Sequence, residues 1–136
     1  MNYVEAFIAV AEDCKVSAAK IPEARGKSRT VAQIQYEMLS EKPFTYTQED
    51  VLFASWFKRQ EHGDLADDAV AQMRAQFFSK EQPCLRTSPL TRTHGWGLIF
   101  DAEGRVALCP MESPEYEKYL DSDGLRVMRA LRTKRA

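Results

Sequence analysis

Apolar residues bunch into short extended runs near both ends of the chain and recur at helical spacing through its middle. From Tyr3 to Ala11, YVEAFIAVA places Val4, Ala6, Ile8 and Val10 on one side of an extended chain and Tyr3, Phe7 and Ala9 on the other. That is the pattern of a strand covered on both faces, with a short helix as the competing assignment. Residues 15–29 lose the pattern and read as a loop. Thr30 with Gln33 three residues on is a capping-box signal for a helix whose face carries Val31, Ile34, Met38 and Leu39. Pro43 ends that run. Thr47 with Asp50 repeats the logic, with Tyr46 and Val51 as the staple, and VLFASWFKRQ then predicts a central core helix. Gly63 is expected to stop it. Asp64 is expected to cap a third helix buried through Ala66, Val70, Met73 and Phe77.

Beyond Pro83 the period changes. WGLIF and RVALC, separated by DAEG, predict a hairpin over 96–109 with Gly104 in a left-handed turn position and Asp101 bonding the turn through its side chain. Ser113 and Pro114 open a short helix through Tyr119. Asp121 to Gly124 breaks it before a last, basic helix in GLRVMRALRTKRA. The expected fold is α+β: a small antiparallel sheet, made of the N-terminal strand and the hairpin, packed against several helices.

Composition narrows the class. At 136 residues the chain fits one globular domain over 1–136, and 44% hydrophobic with 29% charged residues suits an ordinary packed protein. A net charge of -1 gives no global field toward nucleic acid or anionic membranes, so any basic site must be local. The longest apolar run, Ala6 to Ala11, is far too short to span a bilayer, and the N-terminus lacks a secretory pattern. Cys14, Cys84 and Cys109 form no close pair. They suit a reduced, cytoplasmic setting.

Candidate chemistry concentrates before the hairpin. Arg86, Ser88, Arg92 and His94, among further Thr hydroxyls and followed by Gly95, Trp96 and Gly97, supply guanidiniums, a hydroxyl, an imidazole and a flat ring. Such a loop suits an anionic small molecule or a partner protein. It matches neither a phosphate-binding loop nor a dinucleotide fingerprint. A solvated connector with its arginines paired to surface acids is the competing reading. His94 as a general base is the enzymatic alternative, although the sequence names no partner for it. Cys84 and Cys109 are better explained by packing than by thiol catalysis. The cysteines with His62 and His94 lack the close ligand pairs of zinc sites, and Glu49, Asp50, Glu61, Asp64, Asp67 and Asp68 lack calcium-loop spacing. No metal or cofactor is therefore expected. In the tail, Arg126, Arg129 and Arg132 recur every three residues opposite Leu125, Val127, Met128 and Leu131. This cationic strip is a second alternative, for nucleic acid, against plain docking of a basic helix.

The segments TVAQIQYEML, YTQEDVLFASWFKRQ, QPCLRTSPL, THGWGLIFDAEGRVALCPMESPEY and RTKRA together resemble the domain-of-unknown-function family 6157, over nearly the whole length. The resemblance implies a small stand-alone bacterial protein, and it brings no substrate, cofactor or catalytic residue with it. The expectation for function is a non-enzymatic binding module working through residues 86–96, with oligomeric state left open.

Overall fold

The computed structural model describes residues 2–23, 26, 29–60 and 63–132. Along the chain run β1 (Ala6–Ala9), α1 (Val31–Glu41), α2 (Gln48–Phe57) and α3 (Asp67–Ser79). After a 3-10 turn at Leu85–Thr87 follow α4 (Pro89–Arg92), β2 (Trp96–Phe100), β3 (Val106–Pro110), α5 (Pro114–Leu120) and β4 (Arg126–Arg129). The fold is α+β. One sheet orders its strands β3-β2-β1-β4.

β1 and the hairpin pair antiparallel as their alternation predicts, with Ile8 opposite Leu98 and Leu98 opposite Leu108. Each face of the sheet is then covered. Ala6, Ile8, Leu98, Phe100 and Val106 pack with Ile34, Leu39 and Val51 of α1 and α2 and with Leu90 of α4. Phe7, Ala9, Ile99 and Cys109 pack under Tyr116 of α5. The hairpin turn forms as its residues dictate: Gly104 sits at φ +80, and the Asp101 carboxylate accepts the Glu103 and Arg105 amides at 2.9 Å each.

The helix starts follow their local signals. Thr30 with Gln33 and Thr47 with Asp50 each form a complete capping box. Three expectations need correction. The last basic helix is instead strand β4, which pairs parallel to β1 from Ala6 opposite Arg126 to Ala9 opposite Arg129. Its residues satisfy the outer backbone edge of β1, a long-range gain that local helical periodicity does not register. The third helix is not a buried one: α3 contributes no buried residue, and Ala66, not Asp64, stands at its N-cap without a side-chain bond. Nor does α2 reach Gly63, since it ends at Phe57 with Lys58 as its C-cap. Glu61, His62, Lys134 and Arg135 lie outside the described residues.

Candidate functional site

Residues 86–96 are not an open loop. The 3-10 turn and α4 fold them across the ends of β1 and β4. Buried Gln48, the first residue of α2, fixes the start by accepting the Leu85 amide at 2.8 Å. Ser88 caps α4 and Pro89 occupies its first turn. Deeper in, Thr91 offers its carbonyl to the Ala11 amide at 3.0 Å.

The five predicted site residues separate into three environments. Arg86 and Arg92 turn toward β4. The Arg86 Nε donates to the Arg129 carbonyl at 2.7 Å, while the Leu131 amide donates back to the Arg86 carbonyl at 2.9 Å. Arg92 donates from Nε to the Leu131 carbonyl at 3.2 Å and from Nη2 to the Arg132 carbonyl at 2.9 Å. The Arg126 and Ala130 amides bond to the Glu5 and Ala9 carbonyls, so residues 129 and 131 present their backbone to the other side. Arg86 thus covers the free edge at the end of the last strand, and Arg92 holds the backbone just past it.

Ser88 is buried, its hydroxyl donating to Gln35 at 2.5 Å. His94 and Trp96 face the 16–20 segment. The Lys20 amide donates to the His94 carbonyl at 2.8 Å and the Trp96 indole donates to the Lys20 carbonyl at 2.8 Å, with Tyr36 5.4 Å from the Trp96 ring. Gly95, at φ +80, lies so close beneath this segment that a Cβ would stand 2.9 Å from Val16 and from Met111. The His94 Nδ1 has the Thr93 hydroxyl at 2.8 Å and the Pro89 carbonyl at 3.1 Å. Among the described residues no carboxylate bonds to this imidazole.

Sequence reasoning treated the 86–92 arginines and the tail arginines as separate features. The structure brings Arg86, Arg92, Arg129 and Arg132 to one edge. Arg129 donates to the Val10 carbonyl at 3.1 Å, and Arg132 pairs with Glu12 at 2.5 Å, holding that carboxyl below the usual range. Arg129 and Arg132 thus lie near Glu12, with Asp13 beside Arg132, while the Arg86 and Arg92 side chains hold the backbone of the same 129–132 stretch. Pairing between β4 and β1 creates this convergence, so no local signal announces it.

Sequence reasoning also missed a groove of about 260 Å³ on the other side of the Leu85–Pro89 turn. Leu52 and Trp56 of α2, Phe77 of α3 and Pro83 supply apolar walls, and Gln35, Ser55 and Ser88 lie at its floor. These three polar residues are 3–5% exposed and bonded to one another. The available signal was Gln35 itself, a polar residue four positions after Val31 and four before Leu39 on an apolar helix stripe.

Among the described residues no group of three or more His, Cys, Asp or Glu side chains is arranged to hold a metal ion, and no helix is long and apolar enough to cross a membrane. Comparison with curated proteins and with solved structures returns no match. The family comparison does: the model of the family of unknown function DUF6157 matches residues 1–136, and the chain belongs to that family.

Proposed function

We propose that this protein is a non-enzymatic interaction module of the bacterial cytoplasm that engages an acidic segment of a partner protein along the edge formed by Arg86, Arg92, Arg129 and Arg132. The observation carrying this reading is the meeting of two distant arginine-bearing stretches: the Arg86 and Arg92 side chains bond the backbone of residues 129–132, where Arg132 pairs with Glu12. Arg86 and Arg92 spend some of their N–H groups on the carbonyls of residues 129, 131 and 132, which holds the side chains in place and leaves further donors on each guanidinium. None of the four lines either described cavity, so the surface suits an extended carboxylate-bearing chain better than an enclosed small anion. The partners of the His94 Nδ1, a hydroxyl and a backbone carbonyl, favour binding over general-base catalysis. Three free thiols support the cytoplasmic assignment.

The test is fluorescence anisotropy of a labelled oligoglutamate peptide at rising salt, with duplex DNA of equal charge in parallel. Saturable, salt-sensitive peptide binding is expected. Joint substitution of Arg86 and Arg92 by Gln should weaken it about three- to tenfold, as two exposed ion pairs would. No saturable binding, or binding indifferent to both substitutions, overturns the reading. Preference for DNA would transfer it to nucleic acid.

A further inference from the structure

We propose that the groove between α1, α2, α3 and the 82–89 segment is a binding site for a small, flat, neutral heterocycle that carries a hydrogen-bond donor and an acceptor on one edge. This goes beyond the acidic-partner reading: Arg86, Arg92, Arg129 and Arg132 do not line the groove.

The polar floor argues for it. Ser55 donates its only hydroxyl proton to the Val51 carbonyl at 2.6 Å, so toward Gln35 it acts as an acceptor. That identifies the atom 3.1 Å away as the Gln35 amide nitrogen and fixes the amide orientation. The Gln35 oxygen then accepts the Ser88 proton, and the Ser88 oxygen accepts the Leu90 amide at 3.2 Å. Both hydroxyl protons are committed. A primary amide carries two N–H donors and two oxygen lone pairs, and these bonds use one of each. Gln35 keeps one donor and one acceptor, locked in orientation within a side chain that is 3% exposed and lines the groove.

The walls argue for flatness. Trp56 remains 37% exposed although it sits among Phe53 and Phe77, and its ring lies 5.3 Å from that of Phe77. Leu52, Pro83 and Pro89 complete an apolar slot above the amide. Aromatic walls over a few convergent polar groups are the usual composition of small-molecule sites, and about 260 Å³ suits a one- or two-ring ligand rather than a larger one. A neutral ring fits better than a charged one, because no charged group joins the floor; Arg59 stands among the lining residues, after the end of α2.

The probes are nicotinamide and adenine, with toluene as a flat control lacking a polar edge. Each is titrated into the full chain while the Gln35 side-chain amide resonances and Trp56 fluorescence are followed. Nicotinamide or adenine should shift the Gln35 amide saturably and perturb Trp56, and toluene should bind more weakly. Substituting Gln35→Met should weaken binding about two- to tenfold, the loss of one or two hydrogen bonds. Should Q35M fail to fold, Phe77→Leu on the unburied helix α3 tests the wall and should weaken binding about twofold or more. The proposal is overturned if neither heterocycle shifts Gln35, if toluene binds as tightly, or if the folded variant binds both heterocycles unchanged. Glutamine at Arg86 and Arg92 should leave this binding intact, which separates its fate from that of the acidic-partner surface.

Discussion

The Arg86 guanidinium donates to the Arg129 carbonyl at 2.7 Å while the Leu131 amide donates to the Arg86 carbonyl at 2.9 Å, so one residue closes the edge of the last strand by side chain and by backbone. Arg86→Ala removes the first bond and keeps the second. The bond is exposed, so the expected loss of global stability is below about 1 kcal/mol. The local effect should be larger than the global one: hydrogen exchange should accelerate at Leu131 and Ala130 and stay unchanged in β2 and β3. Equal acceleration throughout the sheet would contradict the edge-covering role.

The opposite face has its own fixed point. The Val10 amide, buried at the end of β1, donates to the Tyr116 hydroxyl at 2.9 Å. Burial pushes the Tyr116 phenol pKa up, against the lowering pull of that bond. Tyr116→Phe keeps the ring, including its edge contact with Phe7 at 5.3 Å, and leaves the Val10 amide unpaired. Urea unfolding should show a loss of about 1–3 kcal/mol with an unchanged slope.

Local signals were legible and distant ones were not. Thr30 with Gln33, Thr47 with Asp50 and Asp101 with Gly104 each complete their bonding within a few residues, so the sequence displays both partners side by side. β4 was hidden because its partner is β1 at the far end of the chain, and arginines at 126, 129 and 132 imitate a helix face. The candidate site failed to read out for the same reason. Arg86 meets a carbonyl 43 positions away and Ser88 an amide 53 positions away, and composition cannot distinguish a guanidinium awaiting an anion from one holding its own backbone. The buried stripe assigned to α3 was misleading in another way. Its Phe77 packs against Phe53 and Trp56, yet the helix remains at the surface and forms a groove wall.

Gly97 explains how α5 approaches the sheet. A Cβ at this position would stand 2.8 Å from the Phe7 ring and 3.1 Å from the Tyr116 ring. Gly97→Ala therefore overpacks the face rather than straining the backbone. It should destabilise by about 1–3 kcal/mol in thermal or urea unfolding. Pairing it with Phe7→Leu should recover part of that loss, because the clashing ring is then gone.

Asp50 makes stability depend on pH. Burial raises its carboxyl pKa, but the Thr47 amide at 3.0 Å and the Arg74 guanidinium at 2.8 Å outweigh burial and leave it below the ordinary value. A depressed folded-state pKa stabilises fully above the unfolded value and is lost as pH falls through the folded one. The native chain should thus lose this contribution from about pH 4 downward. Asp50→Asn keeps an acceptor for the cap and cannot titrate, so the stability gap between the two proteins should be widest at neutral pH and shrink in acid. A gap constant with pH would assign the whole effect to capping.

The three thiols should differ in reactivity. Cys109 is 3% exposed within β3, and burial pushes its thiol pKa up, aided by Glu115 and Glu112 and only partly opposed by the Ser113 hydroxyl at 3.6 Å. Thiolate is the reacting species, so raised pKa and burial act in the same direction. Cys14 and Cys84 are half-buried and more accessible. A disulfide reagent at mildly alkaline pH should label Cys14 and Cys84 first and Cys109 at least about tenfold more slowly. Denaturant should abolish the difference, because it removes the fold that buries the third thiol. Peptide mapping after timed quenching reads the order directly, and labelling of Cys109 at the rate of the other two in the folded protein would show that the β3 face opens far more readily than its packing under Tyr116 implies.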